Sequence, residues 1–346
     1  MNDRISAEAL RAFTTAVFET KGLAKADAER IAQTLVWADL RSIGTHGVSR
    51  IPLYCHYIDQ GDLDPRGIPV RLADQAAVAH LHARQAAGPV SMAQGVALAL
   101  DKADASGAGV VLVSHTTHVG ALGYYTQAMA KQGYTGIALA ATVPLMAYHG
   151  SFIAAAGTNP LSIAVPVSHG NPVLLDITPS ASSWGEIMAA RRSGTPLPDG
   201  VAADAHGHVT TDARRARVTL PLGGPKGSGL SFMIELLTSH LANNPLISSA
   251  LAGQLPGHSQ NALLLAINTR SFIDPETLAA SVRRFAAQLH ALPPLDPAAP
   301  VRLPGERGDA SHAQRERDGI PLDPAVRAEL TQLARSLGLD FSAYYS

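Results

Sequence analysis

The chain has 346 residues, of which 46% are hydrophobic and 16% charged, and its formal net charge at pH 7 is −1. This composition excludes a disordered chain, and the near-zero charge excludes the basic surface with which proteins bind nucleic acid. The single cysteine, Cys55, excludes an intrachain disulfide, favours a reducing cytosol, and is expected to be a packing thiol.

We also expect no contact with a membrane. The segment Met1–Ala7 lacks the apolar run of a signal peptide. The most apolar stretches, such as Gly136–Thr142, are far shorter than the roughly 20 residues of a membrane-spanning helix. A cytoplasmic protein is therefore predicted.

In chain order, the first 60 residues predict helices. Leu10, Phe13 and Val17 lie on one face of the first, and Ile31 and Leu35 continue the pattern in a second. Further helices are predicted at 89–105, 121–132, 181–193, 227–243, 275–291 and 324–337. Short apolar runs bounded by Gly, Pro, Asn or Asp predict buried strands at Val78–Ala83, Val110–Ser114, Gly136–Thr142, Leu161–Val167, Val173–Thr178 and Ala262–Asn268. The proline-rich segment 293–304 predicts an extended connection.

Several general motifs are absent from the sequence. It contains no G-x-G-x-x-G after a strand, no phosphate-binding P-loop, no H-E-x-x-H and no C-x-x-C. His115 and His118 are three residues apart, but they lie where a strand is expected to become a loop, so no metal site is predicted. The order of elements predicts a mixed α/β fold with helical ends.

The segment from Asp39 to Tyr54 contains a histidine and an arginine at helical spacing. His46, Arg50 and Tyr54 would share one face of a helix. A histidine exchanges a proton near neutral pH, and an arginine one turn away can bind a carboxylate through two hydrogen bonds. Together they suit a substrate with a carboxylate beside a reducible carbon. A helix cap with a surface ion pair is the alternative.

Three further segments could bind an anion or a cofactor. Ser114–Tyr125 lies where a strand becomes a helix, a place where free N–H groups accept anions. Asp176 ends an apolar strand and could bind a ribose hydroxyl or cap the next helix. Gly223–Gly229 places Lys226 at a glycine-rich helix start that suits a pyrophosphate.

Together these segments resemble the type-2 malate/L-lactate dehydrogenase family, which includes ureidoglycolate, sulfolactate and 2,3-diketogulonate enzymes and reductases of piperideine- and pyrroline-2-carboxylate. The resemblance extends from about residue 6 to residue 340. The motifs behind it are Gly44-Thr-His-Gly-Val-Ser-Arg50, His118-Val-Gly-Ala-Leu-Gly-Tyr-Tyr125, Gly157-Thr-Asn-Pro160, Gly223-Gly-Pro-Lys-Gly227 and Leu303-Pro-Gly-Glu-Arg307.

The resemblance implies a homodimer with a non-Rossmann nicotinamide-binding domain on a mixed sheet and a helical N- plus C-terminal domain. It implies a helical domain at 1–75 with 305–346, a bridging segment at 76–120 with 262–304, and a cofactor domain at 121–261. His46 is implied as the proton donor, with Thr45 beside it, Arg50 as the carboxylate ligand and His118 as an acid/base. The implied contacts to NAD or NADP are His118, Val119, Gly120, Ala121, Leu122, Thr142, Asp176, Ile177, Thr178, Lys226, Pro304, Gly305 and Glu306.

The chain departs from the family pattern at three places. Thr45 replaces a serine but keeps the hydroxyl, and Pro179 removes one backbone donor. Glu186 stands where many members have lysine. A carboxylate there would stabilise a cationic iminium, so Glu186 is a candidate catalytic residue. Arg191 or Arg192 could contact the 2′-phosphate of NADP, or both could be solvated.

Three functions remain open from the sequence. The first is hydride transfer between a nicotinamide and C2 of a small 2-oxo or 2-hydroxy acid. The second is the same chemistry on the C=N bond of a cyclic imino acid. The third is a non-catalytic binding protein. Each has a small carboxylate as its partner, and neither the exact substrate nor NAD against NADP is fixed.

Overall fold

A computed structural model describes residues 4–167, 170–254 and 258–345. Over this part of the chain, α-helices form at α1 Ala7–Thr20, α2 Lys25–Leu40, α3 Ile51–Gln60, α4 Gly88–Ser106, α5 Gly123–Ala130, α6 Trp184–Ser193, α7 Pro225–Glu235, α8 Ile247–Leu251, α9 Pro275–His290, α10 Glu306–Asp318 and α11 Pro324–Ser336. The strands are β1 Arg4–Ile5, β2 Val70–Asp74, β3 Val78–His82, β4 Ala108–Thr116, β5 Tyr134–Ala141, β6 Pro144–Ala147, β7 Ala154–Gly157, β8 Leu161–Val165, β9 Val173–Ile177, β10 Ala202–Ala203, β11 Val218–Thr219, β12 Gln260–Asn268 and β13 Ile320–Pro321.

The largest sheet has seven strands in the order β2-β3-β4-β12-β5-β8-β9. Its neighbours are antiparallel except for β3 and β4, which run parallel. The parallel pair requires a long crossover, and α4 provides it. The mixed α/β architecture predicted from the sequence is thus confirmed.

Helices α4 and α5 pack on one face of this sheet. The alternation is clear in β5, where Ala138 and Ala140 are fully buried while Ile137 and Leu139 are only partly buried. A Cβ on Gly109 of β4 would lie 2.0 Å from the carbonyl oxygen of Ala99 in α4. Glycine therefore permits the close approach of this helix to the sheet.

The N- and C-terminal helices share a separate apolar core. The residues that predicted α1 (Leu10, Phe13 and Val17) are all fully buried in it, together with Leu330 of α11. Ser6 caps α1 by accepting a hydrogen bond from the N–H of Ala9. Burial of each large apolar side chain contributes about 1.5–3 kcal/mol to stability. This burial stabilises the packing of the N-terminal helices against the C-terminal ones.

The short elements β1, β2, α8 and β13 were not predicted from the sequence, and three larger features also differ from the prediction. Helix α10 was not predicted, because no large apolar side chain occurs along it. A second sheet, in the order β10-β11-β6-β7, lies in a region where no strand was predicted. Helix α7 ends at Glu235 and continues as a π-helical segment, Leu236–His240. No helix in the described part of the chain is long and apolar enough to cross a membrane.

One end of the seven-stranded sheet positions the candidate site. Strands β4 and β5 both end there, because each pairs with β12 running in the opposite direction. β9 also ends there, since Ile177 pairs with Leu161 at the start of β8. The loops that follow β4, β5 and β9 therefore emerge side by side.

Candidate active site

The segment that contains His46 is a pair of tight turns. Gly44–His46 and Val48–Arg50 are single 3₁₀ turns, and regular helix begins only at Ile51. The prediction that His46 lies on one helix with Arg50 and Tyr54 is therefore wrong. Pro52 explains the boundary, since proline is tolerated in the first turn of a helix and not further along it.

Asp39, at the end of α2, holds this double turn in place. Its Oδ2 accepts a hydrogen bond from the N–H of Val48 at 2.8 Å. A Cβ on Gly47 would lie 2.0 Å from Asp39 Oδ1, so only glycine fits above the carboxyl group. Burial raises the pKa of Asp39 to about 7, against the opposing effects of the Val48 hydrogen bond and the Arg315 charge. Asp39 was not among the predicted site residues.

The structure brings together the two predicted acid/base histidines. The rings of His46 and His118 stack with centroids 5.5 Å apart and planes 28° from parallel. Burial, and then the charge of Arg50, lowers the pKa of His46 to about 3. The same two causes, in the same order, lower the pKa of His118 well below its usual value. Both imidazoles are therefore neutral at pH 7 before substrate binds.

Hydrogen bonds assign different roles to the two rings. The N–H of Gly120 donates to His118 Nδ1 at 3.2 Å, and the hydroxyl of Tyr54 lies 2.8 Å from the same nitrogen. Because an amide N–H can only donate, Nδ1 is an acceptor and neutral His118 carries its proton on Nε2. His46 Nδ1 lies 3.0 Å from Thr45 Oγ1, which leaves Nε2 of His46 for a reacting group.

Arg50 lies next to this pair with no acidic partner. Its Nε donates to the carbonyl oxygen of Thr45 at 2.5 Å. No carboxylate among the described residues forms a salt bridge with it. A Cβ on Gly185 would lie 3.0 Å from Nη2, so the start of α6 closes one side of the guanidinium. A partly buried, unpaired guanidinium is suited to bind a carboxylate supplied by a ligand.

Glu186 does not contact the histidines in this structure. It is exposed and forms a capping box with Ser183, whose side chain accepts from the N–H of Glu186. Glu186 Oε2 accepts in turn from the N–H of Ser183 at 2.8 Å and from the hydroxyl of Ser182 at 2.9 Å. Its observed contacts are therefore those of a helix cap.

Arg191 uses two of its guanidinium nitrogens within the protein. Its guanidinium donates to the carbonyl oxygens of Ala213 and Ala216 and lies 5.8 Å from the Trp184 ring. The prediction that it could meet a 2′-phosphate is thus unsupported. Arg192 is exposed.

Some backbone N–H groups in and beside the predicted cofactor residues after β4 are already used within the protein. The N–H of Val119 donates to Gln260 Oε1, and that of Gly123 donates to Asp176 Oδ2 at 2.8 Å. Asp176 therefore caps α5, an earlier helix and not the following one. Burial raises its pKa to about 7, opposed by the Gly123 hydrogen bond and Arg41. Among the described residues, its other oxygen has no hydrogen-bond partner and could accept from a ribose hydroxyl.

Thr142 and Lys226 lie at the same end of the sheet. Thr142 donates its N–H to Asn159 Oδ1, and the Asn159 amide donates to the carbonyl oxygen of Ser231 in α7. At the start of α7, a Cβ on Gly227 would lie 2.3 Å from the carbonyl oxygen of Pro179. Lys226 therefore lies next to the segment that follows β9. The residues placed at this end of the sheet are His118, Val119, Gly120, Ala121, Leu122, Thr142, Asp176, Ile177, Thr178 and Lys226.

The backbone at the start of α7 is less free to bind a phosphate than the sequence predicted. The N–H groups of Lys226 and Gly227 already donate to the carbonyl oxygens of Gly223 and Leu222. An anion there would depend on the exposed Lys226 ammonium more than on the helix start. The ammonium group and the second oxygen of Asp176 nevertheless fit the phosphates and a ribose hydroxyl of a dinucleotide.

Pro304, Gly305 and Glu306 lie along the outer edge of β9. The carbonyl oxygen of Pro304 accepts from the N–H of Leu174 at 3.2 Å. Gly305 has a φ of 96°, which favours glycine, and its carbonyl oxygen accepts from Arg41. Glu306 is engaged by the N–H of Leu303 and by His290. Pro304 and Gly305 contact the edge strand at Leu174, two positions from Asp176.

His258 lies near the site and was not predicted from the sequence. Its ring stacks on Tyr57 with ring centroids 4.2 Å apart. Its Nε2 is buried and has no hydrogen-bond partner among the described residues. Burial lowers the pKa of His258 to about 4. Cys55, in contrast, is a buried packing residue as predicted, and burial raises its pKa to about 12. Among the described residues, no three His, Cys, Asp or Glu side chains are placed to hold a metal ion.

Comparison with known proteins identifies the family. A family model for malate/L-lactate dehydrogenase matches residues 5–331. The malate/(S)-sulfolactate dehydrogenase of Methanothermus fervidus is 30% identical and covers 98% of this chain and 99% of its own. The ureidoglycolate dehydrogenase (NAD(+)) of Escherichia coli K12 is 31% identical over 92% of each.

A solved structure is also similar over the whole chain. The Δ1-piperideine-2-carboxylate reductase of Pseudomonas syringae pvar. tomato superposes with a TM-score of 0.82 at 27% identity, covering 96% of this chain and 99% of that one. With the family match extending over nearly the whole sequence, the resemblance stated from the motifs is confirmed. This chain is an oxidoreductase that belongs to the malate/L-lactate dehydrogenase family.

Proposed function

We propose that the protein transfers a hydride between a nicotinamide cofactor and C2 of a small 2-oxo or 2-hydroxy acid, with His46 as the proton-transfer group. The observation that supports this most is the unpaired guanidinium of Arg50 beside two stacked neutral histidines. A binding protein has no need of a proton acceptor next to a carboxylate ligand. When bound, the nicotinamide supplies or accepts the hydride.

The protein's own residues handle the carboxylate and the proton. Arg50 binds the substrate carboxylate through its terminal nitrogens. In the oxidation direction His46 Nε2 accepts the proton of the 2-hydroxyl group, and in reduction it returns that proton to the 2-oxo oxygen. His118 donates a hydrogen bond through Nε2–H, and Tyr54 fixes its ring.

Substrate binding itself would prepare His46 for protonation. The charge of Arg50 is the second cause of the low pKa of His46. A carboxylate on Arg50 offsets that charge, so it raises the pKa of His46 from about 3 and makes the imidazolium accessible. The proton acceptor is therefore a neutral imidazole in the empty site and a stronger base once the acid is bound.

The cofactor would contact the residues gathered at the end of the sheet. We propose that Asp176 binds a ribose hydroxyl and that Lys226 binds the phosphates. Neither NAD nor NADP is favoured by a specific contact, since Arg191 is already engaged and Arg192 is solvated.

The direct test is a substrate panel. Purified protein is assayed at the absorbance band of reduced nicotinamide with NAD and NADP, in both directions, using malate, lactate, sulfolactate and ureidoglycolate with the matching 2-oxo acids. Turnover of at least one acid supports the proposal. Absence of turnover with every acid and both cofactors, in protein shown to be folded, would leave the binding-protein alternative.

A second substrate class is supported by the similarity to the piperideine-2-carboxylate reductase. A cyclic imino acid also has a carboxylate next to the carbon that is reduced, so the same Arg50 could bind it. Adding pyrroline-2-carboxylate and piperideine-2-carboxylate to the panel decides between the classes. The preferred class is the one with the larger kcat/KM.

We also propose that the protein is a homodimer. Leu230, Met233, Leu237 and Leu241 form one stripe along α7 and its π-helical continuation, and each is between 36% and 62% exposed. A contiguous exposed apolar stripe of this kind favours burial against a second copy. Light scattering at micromolar concentration should give twice the chain mass of 36.1 kDa. A monomer mass would contradict the proposal.

A further inference from the structure

One face of α10 lines a cavity of about 330 Å³ that shares no residue with the candidate active site. Along the helix, the lining positions recur every three or four residues. They are Arg307, Ala310, Ser311, Gln314 and Arg315. The opposite wall consists of Arg4, Ser42 and Pro321. The cavity therefore joins α10 to the pair of strands β1 and β13 and to the turn that follows α2.

The lining includes three arginines and no acidic residue. Within the described chain, none of Arg4, Arg307 and Arg315 forms an ion pair. Arg4 and Arg315 each donate one hydrogen bond to a backbone carbonyl oxygen, those of Gly319 and Asp39. Each guanidinium retains further N–H donors for a ligand.

The charges around the cavity repel one another. Burial lowers the pKa of Arg315, Asp39 opposes this effect, and the charge of Arg4 lowers the pKa further. Positive groups gathered without a counter-charge are unfavourable unless an anion joins them. The residues that line the cavity therefore carry positive charge that no lining residue balances.

The acidic residues near the cavity are engaged elsewhere. Asp309 of α10 pairs with Arg41, on another face of the helix, and Glu306 pairs with His290. The carboxylate of Asp39 accepts from the N–H of Val48 and packs closely against Gly47. Asp39 acts on Arg315 through its charge, but no carboxylate of the described residues forms an ion pair with any of the three arginines.

We propose that this cavity binds a small polyvalent oxyanion of the phosphate or sulfate class through Arg4, Arg307 and Arg315. Planar guanidinium groups bind such anions through paired, charge-assisted hydrogen bonds. Ser42 and Ser311 bond to each other at the cavity wall and add hydroxyl groups to it. Because Arg4 and the two arginines of α10 lie far apart in the sequence, a bound anion would stabilise the folded state.

The test uses inorganic phosphate and a phosphate monoester, glycerol phosphate, with sodium chloride at matched ionic strength as the reference. We expect phosphate to raise the melting temperature saturably, by a few degrees, and to give a measurable Kd by calorimetry. If only the monoester responds, the ligand is a phosphorylated metabolite, and the cavity assignment still stands. If neither produces a saturable response, the proposal is overturned.

Variants locate the binding. Arg307→Gln changes an exposed residue, so the protein should still fold, and we expect Kd for phosphate to rise about tenfold or more. The matched control, Arg284→Gln on the exposed face of α9, should leave Kd unchanged. Lys226→Gln and Arg50→Lys should also leave Kd unchanged. If these two abolish phosphate binding and Arg307→Gln does not, the anion binds in the active site and the proposal is wrong.

Discussion

Replacing Arg50 by lysine keeps the positive charge and removes the planar pair of donors. Nε of Arg50 already donates to the carbonyl oxygen of Thr45 at 2.5 Å, so the terminal nitrogens remain for the substrate carboxylate. The lysine ammonium cannot hold the Thr45 carbonyl and both carboxylate oxygens in the same geometry. At least one charge-assisted hydrogen bond is lost.

The magnitude follows from that single bond. A hydrogen bond to a charged group contributes about 1.5–3 kcal/mol. Since about 1.4 kcal/mol corresponds to a factor of ten, kcat/KM for a 2-hydroxy acid should fall roughly 10- to 150-fold. If the carboxylate is bound equally in the ground and transition states, most of the change will appear in KM.

The assay is steady-state oxidation and reduction followed at the reduced-nicotinamide band, with circular dichroism to show that each variant is folded. Arg192→Lys is the matched control, because Arg192 is exposed on α6 and close enough for its charge to affect Arg50. We expect it to change kcat/KM less than twofold. An Arg50→Lys variant within twofold of the wild type, or an equal loss in Arg192→Lys, would refute the carboxylate-binding role.

Two further predictions concern residues around the site. Asp39→Asn keeps the acceptor for the Val48 N–H but removes the charge. Because burial raises the pKa of Asp39 from 3.8 to about 7, its contribution to stability is fully present below pH 3.8 and is lost as the pH rises through 7. The free energy of unfolding of the wild type should thus decline over this pH range by a few kcal/mol more than that of Asp39→Asn. Urea titrations at several pH values measure both declines. If the two proteins lose the same stability over this range, the buried carboxyl does not have the raised pKa. Glu186→Gln keeps the capping box, since glutamine is also found at that position, so stability and kcat/KM should both change little. A tenfold loss confined to a cyclic imino acid would instead assign Glu186 to the iminium.

The elements predicted from the sequence were those with a strong burial pattern. Leu10, Phe13 and Val17 of α1 are buried completely, and in the apolar runs of β4 and β12 at least every second side chain is buried. Helix α10 gave no such signal, because its 13 residues include no large apolar side chain and none of them is buried. Its packing depends on polar contacts such as Arg41 with Asp309, which lie 268 positions apart.

The candidate site was predictable in its residues but not in their connections. His46, Arg50 and His118 were all predicted, yet the bond from Tyr54 to His118 joins residues 64 positions apart and depends on the order of strands. Periodicity within one segment cannot reveal such a contact. The role of Glu186 is a different case, since Ser183-Trp-Gly-Glu186 is a capping-box pattern visible in the sequence. The position of Glu186 in the family pattern suggested a catalytic role, whereas its local geometry is that of a helix cap.

The central claim is that His46 transfers the proton while the cofactor transfers the hydride. The most direct measurement is single-turnover hydride transfer in wild type and His46→Ala, together with the Kd of the cofactor from nicotinamide fluorescence. The account predicts that the rate in His46→Ala falls by about 10²- to 10⁴-fold while the Kd of the cofactor and the melting temperature remain close to wild type. A His46→Ala protein that transfers hydride at the wild-type rate would contradict it.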